Sequence, residues 1–202
     1  AGYHISVSKS GYYPASTYDP YPLSLFVPND VHVSVIAGSV NSKTITIDRS
    51  STIGVHCKDP FGANIASASV HLSGGRNIGR MQTTGETVYD FAEDGTTGDD
   101  GNVTWSNRSH GNYTVTLSGQ TASDYTLVSL EGEMSSGVMY VSPGSSNEHV
   151  AVLAPKTLRA MWIKVVSSVD GKTPIVGALV HATDDASAYD VSISTDALGT
   201  AY

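Results

Sequence analysis

The chain has 202 residues, of which 40% are hydrophobic, so it is long enough for one or two domains with buried cores. Its formal net charge is -8, and its 11 lysines and arginines form no basic run. This argues against binding to nucleic acid or to anionic membranes, because both need clustered cations. No apolar stretch approaches the roughly 20 residues that span a bilayer, so we expect no membrane insertion.

Apolar and polar residues alternate with period two along most of the chain, which predicts half-buried β-strands. No window of helical length shows a 3.6-residue apolar stripe. Clusters of Gly, Pro, Asn and Asp separate the runs, as in antiparallel sheets joined by turns. The sequence therefore predicts an all-β protein outside the cytoplasm. The alternating runs begin at Tyr3, Val31, Ile53, Tyr113, Val150 and Ile163.

An internal repeat is the most informative feature. IGVHCKDPFGANIASASVHL (residues 53–72) aligns with IKVVSSVDGKTPIVGALVHA (163–182), and TTGDDGNVTW (96–105) aligns with ISTDALGTAY (193–202). Each copy predicts a strand, an Asp/Gly turn and a second strand. The alignment matches Ile53 with Ile163, Val55 with Val165, Asp59 with Asp170, Ile65 with Ile175, Ala68 with Ala178, Val70 with Val180, and His71 with His181.

The first copy continues into two further strand-like stretches, GNYTVTLSG (111–119) and EHVAVLAP (148–155). Similar stretches stand at the other end of the chain, in GYHISVSKSGYY (2–13) and PLSLFVP (22–28). A repeat this long indicates repeated domains rather than a solenoid.

These matches predict one complete module, residues 29–155, flanked by the back half (1–28) and the front half (156–202) of another. Open apolar strand edges are avoided in natural proteins, so the halves need a partner. That partner is the same chain, a neighbouring subunit or further sequence. The predicted contact residues are Tyr3, Ile5, Val7, Ala201 and Tyr202.

The residues of the repeat resemble those of carboxypeptidase-regulatory-like domains. The pattern D-x-x-G-x-x-I-x-x-A-x-V runs from Asp59 to Val70, a [ST]-D-x-x-G turn stands at residues 195–199, and GNYTVTL (111–117) is close to the pattern G-x-Y-x-[VI]-x-V. Such domains are transthyretin-like or prealbumin-like β-sandwiches, similar to the stalk domains of Gram-positive surface adhesins. The resemblance implies tandem Ig-like or prealbumin-like sandwiches with a structural role. Residues 73–95 depart from the family pattern as a long insertion, interpreted as a loop and a candidate contact surface.

The resemblance to adhesin stalks also implies a Lys-to-Asn isopeptide crosslink as a hypothesis. Lys58 and Lys164 stand in the first strands of the two copies. No Asn stands in the closing strand EHVAVLAP or in YPLSLFVP, so we do not expect the crosslink.

The acidic stretch EDGTTGDDGN (93–102) raises the hypothesis of a calcium site. Glu93, Asp94, Asp99 and Asp100 offer oxygen ligands of the kind that Ca²⁺ prefers. Their spacing differs from that of an EF-hand, and Asp/Gly pairs are common in solvated turns. The turn is the favoured interpretation, and no other cofactor is expected.

No arrangement in the sequence predicts catalysis. The seven histidines show neither H-x-H nor H-x-x-x-H spacing, and no G-x-S-x-G motif occurs. His71 and His181 are expected at the surface. The single cysteine, Cys57, lies in phase with Ile53 and Val55, so it is expected in the core.

Two further features concern sugars. Sequons at Asn102, Asn107 and Asn112 fall within one predicted hairpin, a candidate glycosylated surface if the host glycosylates secreted proteins. The tyrosine-rich stretch GYYPASTYDPYP (11–22) is a candidate sugar-stacking platform, although packing over a sandwich edge is the favoured interpretation.

Together these features predict a non-catalytic extracellular or cell-surface structural protein, a building block of a fibre, stalk or filament. Its expected partners are copies of itself or neighbouring modules, joined by head-to-tail strand complementation. The alternative is a carbohydrate-binding or accessory module of a secreted enzyme, which uses residues 11–22 or 73–95.

Overall fold

The computed structural model describes residues 2–131, 133–134, 137–157, 161, 163–183 and 190–201. In this part of the chain the regular structure is almost entirely β, which confirms the predicted fold class. The strands are β1 (Gly2–Tyr3), β2 (Ser6–Val7), β3 (Ala15–Ser16), β4 (Val27–Pro28), β5 (Val33–Ser34), β6 (Ser51–Lys58), β7 (Ser69–Arg80), β8 (Thr87–Thr96), β9 (Asn102–Arg108), β10 (Gly111–Leu117), β11 (Tyr125–Leu130), β12 (Glu133–Met134), β13 (Val138–Val141), β14 (Ser146–Pro155), β15 (Ile163–Lys164), β16 (Leu179–Thr183), β17 (Asp190–Ser194) and β18 (Thr200–Ala201).

One short helix, α1 (Gly119–Asp124), interrupts the strands. It spans six residues, GQTASD, which are too few and too polar to show an apolar stripe, so the sequence pattern missed it. The Thr121 hydroxyl accepts a hydrogen bond of 2.8 Å from the backbone N–H of Ser69. This contact joins the helix to the start of β7.

Two five-stranded sheets form the sandwich. The first has the order β13-β10-β7-β4, with β8 also paired to β7, and the second has the order β12-β11-β14-β6-β9. Alternate residues of both sheets point inward and form one core. The largest fully buried core side chains are those of Ile53, Val55, Val70, Leu72, Tyr113, Val115, Leu130, Val141 and Leu153.

The closing strand of the sandwich pairs in parallel with the first strand of the repeat. β14 runs beside β6 with Ala151 opposite Cys57, whereas the sequence predicted antiparallel sheets throughout. A parallel neighbour needs a long crossover rather than a turn, and the alternation of apolar residues does not encode strand direction. The other ladders among the described residues are antiparallel.

The internal repeat is visible in matching hydrogen bonds. The Thr97 hydroxyl donates to the carbonyl of Ile65 (2.7 Å) and accepts from the N–H of Ala68 (2.8 Å). The Thr195 hydroxyl makes the same two bonds, to the carbonyl of Ile175 (2.6 Å) and from Ala178 (2.9 Å). The second halves of the two copies therefore have one local structure.

The first strands of the two copies also match each other. Their alignment is shifted by two residues from the one that the sequence predicted. The N–H of Cys57 donates to Gly101, and the N–H of Val165 donates to Gly199, at 2.8 Å in both cases. Cys57, not Val55, is thus the counterpart of Val165, and the turn that follows is two residues longer in the second copy. Gly101 and Gly199 both have a positive φ (76° and 72°). Gly101 lies close to the carbonyl of Cys57, and Gly199 lies close to the carbonyl of Val165.

Residues 73–95, interpreted from the sequence as a loop, form most of a long hairpin. The β7–β8 ladder begins where Ser69 pairs with Thr96 and ends where Arg80 pairs with Thr87. Its register shifts between Gly74 and Asn77 and again between Asn77 and Gly79. Gly74 and Gly75 both have positive φ, and a side chain at Gly74 would lie 2.2 Å from the carbonyl oxygen of Asn112. The sequence interpretation was wrong because these glycines mark bulges within a strand.

The stretch that holds Asn102, Asn107 and Asn112 was predicted as one hairpin, but it crosses between the two sheets instead. β9 pairs with β6 in the second sheet, whereas β10 pairs with β7 and β13 in the first. The bend lies at Ser109, whose carbonyl accepts a 2.8 Å hydrogen bond from the hydroxyl of buried Tyr113. Alternation predicts which residues point inward, but it cannot tell a hairpin from a crossover between sheets.

The N-terminal residues pair with residues of the 29–155 region. β1 pairs with β5, β4 pairs with β7, and Tyr18 forms a bridge with Val31. β2 and β3 pair with each other. None of the described ladders joins residues 2–28 to residues 163–201, and the boundaries at 28/29 and 155/156 stay a prediction.

Candidate functional site

The C-terminal copy of the repeat has a half-covered apolar face. Five core positions of the first copy are exposed by 2% or less, and each of their counterparts in the second copy is partly exposed. The difference arises because the strands that cover the first copy, β10 and β14, have no equivalent among the described residues of the second. The pairs are Val55 and Ile163, Cys57 and Val165, Ala68 and Ala178, Val70 and Val180, and Leu72 and Ala182.

The edge of β16 shows the same difference in strand pairing. β7, its counterpart, has β8 on one side and β10 on the other. β16 pairs with β17, and no described strand occupies the position of β10. Unpaired strand edges are templates for another strand. We use the name open face for the inward side of residues 163–201 together with this edge.

Apolar side chains line the open face and its surroundings. A small groove there has a volume of about 20 Å³. Outside it, Leu179 is 70% exposed and Val176 is 63% exposed. The apolar residues that line the groove lie together on one surface, and clustered apolar surface marks interaction sites. The groove is lined by Met161, Ile163, Val180, Val191, Ile193 and Ala201.

A second apolar cavity, of about 580 Å³, separates the C-terminal copy from the outer side of the sandwich. Phe61 and Val152 line it from the sandwich, and Ile193 and Leu198 line it from the C-terminal copy. The C-terminal copy therefore lies beside the outer side of β14, and two residues of the open-face groove, Ile193 and Ala201, also line this cavity.

The structure places the predicted contact residues in different surroundings. Tyr3 is exposed and pairs with Val33, and Val7 pairs with Ala15. Ala201 is buried and pairs with Ile163. Ile5 is partly buried, and its N–H donates to the Thr17 hydroxyl. Tyr202 lies outside the described residues, and no described ladder brings Tyr3, Ile5 or Val7 to Ala201.

The acidic residues of the calcium hypothesis each have a different environment. Asp94 contacts the ring of His71 at 3.0 Å, and Glu93 contacts Arg108 at 3.5 Å. Asp100 accepts hydrogen bonds from the backbone and side chain of Asn102, and these lower the pKa of Asp100. Asp99 is exposed. The described residues contain no group of three or more His, Cys, Asp or Glu arranged to hold a metal, and the calcium site stays a prediction.

The three sequons lie on two sheets rather than on one hairpin. Asn102 is partly buried and donates its side-chain amide to Asp100 at 3.1 Å. Asn107 and Asn112 are exposed, and Asn107 has a positive φ of 55°. If the host glycosylates this surface, Asn107 and Asn112 are the more accessible sites.

The two histidines of the repeat make equivalent contacts, whereas its two lysines stand at different positions. His181 contacts Asp190 at 2.7 Å, as His71 contacts Asp94 in the first copy. Lys58 and Lys164 do not hold equivalent positions, because Lys164 is the counterpart of His56. Cys57 lies in the core as expected, and burial raises the pKa of its thiol to about 12.

Within the part of the chain that the structure describes, no helix is long and apolar enough to cross a membrane. No family model matches the chain, and no curated protein matches it. Among solved structures, the chain is similar to the Bacillus anthracis TIE protein, with 17% identity over 75% of this chain and a TM-score of 0.38. It is also similar to a streptococcal ancillary pilin, with 12% identity over 87% of this chain and a TM-score of 0.35. The chain spans 25% of the first protein's length and 56% of the second's.

Proposed function

We propose that this protein is a non-catalytic building block of an extracellular or cell-surface fibre, assembled when the open face of one copy receives residues 2–28 of the next copy. The observation that supports this most strongly is the contrast within the repeat. Equivalent positions are fully buried in the first copy and partly exposed in the second. Covering a large apolar side chain contributes about 1.5–3 kcal/mol, so the open face favours association.

Residues 2–28 are the proposed occupant because they resemble the strands that cover the first copy. Residues 2–13 are similar to β10, and residues 22–28 are similar to the end of β14. When PLSLFVP is aligned on the final proline of β14, Ser24 corresponds to Ala151 and Phe26 to Leu153. The second copy then gains both of the strands that its counterpart has.

The N-terminal residues are suited to such an exchange. β1 and β4 each join the rest of their own chain through ladders of only two residue pairs. Leu23 and Leu25 are 77% and 87% exposed, so this segment is not packed into the core of its own chain. Adding a strand to a sheet edge gives affinity through backbone hydrogen bonds.

The contact is heterologous, because it joins different surfaces of the two copies. A heterologous contact that does not close into a ring builds an open filament. The function then depends on strand pairing and burial, and it needs no reactive side chain.

Sedimentation velocity over a range of protein concentrations, with negative-stain microscopy, tests this function. We expect association that grows with concentration, and we expect Val180→Asp to abolish it by placing a charge on the open face. Val169→Asp is the matched control, since Val169 is 93% exposed on a turn and does not line the groove of the open face. A wild-type chain that stays monomeric at high concentration would overturn the proposal.

A further inference from the structure

A polar cavity of about 170 Å³ lies between the N-terminal residues and the β7–β8 hairpin. It brings together the tyrosine-rich stretch 11–22 and the insertion 73–95, which are far apart in the sequence. Its walls include Tyr13 and Tyr18 from the first segment, and Arg76 and Asp90 from the second. The cavity shares no lining residue with the open face, but Tyr13 and Tyr18 belong to the segment proposed to pair with another copy, so the cavity is a feature of the unassembled chain.

The hairpin holds Asp90 in place from one side. One carboxylate oxygen of Asp90 accepts hydrogen bonds from the backbone N–H of Arg76 (3.0 Å) and from the Ser109 hydroxyl (3.2 Å). Gly75 allows this approach, because a side chain there would lie 2.6 Å from the Asp90 oxygen and 2.4 Å from the Ser109 hydroxyl. The second carboxylate oxygen is buried and has no partner among the described residues.

Arg76 provides the complementary donor. Its guanidinium lies 5.4 Å from the centre of the Tyr13 ring, and Nη1 donates to the carbonyl of Pro14 at 3.4 Å. The other terminal nitrogen, Nη2, is buried and has no partner among the described residues. A buried donor and a buried acceptor, both unsatisfied by the protein, therefore belong to residues that line one cavity. Such groups cost free energy unless a ligand or water satisfies them.

The two tyrosines add neutral hydroxyls and ring faces. Burial, followed by the charge of Asp90, raises the pKa of Tyr13 to about 12 and also raises the pKa of Tyr18. Both phenols thus stay protonated at neutral pH and can donate or accept a hydrogen bond. Aromatic faces beside polar groups suit a ligand that has both C–H and O–H surfaces.

We infer that this cavity binds a neutral polyhydroxylated ligand of the size of one sugar ring. A hydroxyl group both donates and accepts, so a single one satisfies Asp90 and Arg76 together, and a neighbouring hydroxyl reaches a tyrosine. A water molecule takes about 30 Å³ of liquid volume, so the cavity has room for several waters or for one sugar ring. A simple anion or cation fits less well. Asp90 would repel an anion bound to Arg76, and Arg76 would repel a cation bound to Asp90.

Titration with glucose, galactose, mannose and N-acetylglucosamine at millimolar concentrations, followed by NMR of the backbone amides, tests this inference. At least one sugar is expected to shift the signals of Arg76 and Asp90. Arg76→Met keeps the backbone bond to Asp90 but removes the guanidinium, and it should weaken binding at least tenfold. Arg80→Met is the matched control, since Arg80 is exposed on the same strand and does not line the cavity.

Tyr18→Phe provides a second variant that removes one hydroxyl and keeps the ring, with an expected loss of about fivefold. It keeps the test decisive if Arg76→Met fails to fold. The inference is overturned if none of the four sugars shifts these signals, which would mean that the cavity holds only water. It is also overturned if Arg76→Met binds the sugar as tightly as the wild-type chain does. If Arg76→Met does not fold, equal binding by Tyr18→Phe overturns the inference.

Discussion

Val70 and Val180 occupy the same position in the two copies of the repeat, paired across to Gly95 and Ile193 respectively, but Val70 is fully buried and Val180 is partly exposed. The residue type and the antiparallel pairing are therefore the same, whereas the cross-strand partner and the covering strands differ. This relationship is the basis of the proposed assembly.

Truncation of these two valines should have unequal effects on the isolated chain. Val70→Ala leaves a cavity in a closed core, so we expect it to lower the free energy of unfolding by about 2 kcal/mol. Val180→Ala should cost less than about 1 kcal/mol, because its site is partly solvated. Urea unfolding of dilute protein measures both, and equal losses would contradict an open C-terminal face.

Thr97 and Thr195 are buried and make the same two hydrogen bonds, so they offer a matched pair of variants. Thr97→Val leaves the N–H of Ala68 without its partner and should lower the stability of the sandwich by about 1–3 kcal/mol. Thr195→Val removes the same bond from Ala178, and we expect it to accelerate amide exchange in residues 163–201 while the sandwich exchanges as before. Hydrogen exchange with mass spectrometry distinguishes the two. Faster exchange throughout the chain in Thr195→Val would show that the copies unfold as one unit.

Acid should loosen the turn at residues 167–173. The hydroxyl of Thr173 and the N–H groups of Lys172 and Thr173 donate to Asp170, and they lower its pKa from 3.8 to about 2. Because the folded pKa is depressed, this stabilisation is present above pH 3.8 and is lost as the pH falls towards 2. NMR titration of Asp170 measures the pKa directly. Asp170→Asn should remove this pH dependence from the Thr173 amide signal, and an unshifted titration would contradict the contact.

The Cys57 thiol should be inert in the folded protein. It is fully buried, and its pKa is raised to about 12, so the reactive thiolate is scarce and inaccessible. A thiol reagent such as DTNB should react with one group per chain in urea and with none in buffer. Rapid reaction in buffer would contradict the core position.

Local features of the sequence predicted the fold class and the repeat. Alternation identified strands such as β6 and β10, and the matched residues from Ile65 and Ile175 onward aligned the second halves of the two copies. Both signals depend on side-chain direction and backbone turns within a few residues, which sequence encodes directly.

Strand partners were harder to predict because they are non-local. Alternation gave no sign that β9 and β10 enter different sheets or that β14 runs parallel to β6. Likewise, the cavity between Tyr13 and Asp90 forms only when the N-terminal residues lie on the β7–β8 hairpin. The sequence signal for the bulge beside this cavity is the adjacent pair Gly74 and Gly75, because glycine within a strand often marks a bulge.

Crosslinking between two cysteine variants tests the proposed exchange of strands most directly. In the sandwich Ala151 lies opposite Cys57 in the β14–β6 ladder. The equivalent positions are Ser24 of one copy and Val165 of the next. Ser24→Cys and Val165→Cys are prepared separately and mixed, and Val169→Cys replaces Val165→Cys in the control mixture.

We expect a disulfide-linked heterodimer from the Ser24→Cys and Val165→Cys mixture, and little from either variant alone or from the control mixture. The double variant should give a ladder of linked chains. A mixture without heterodimer, or a double variant that forms its disulfide within a single chain, would contradict completion of the open face by a second copy.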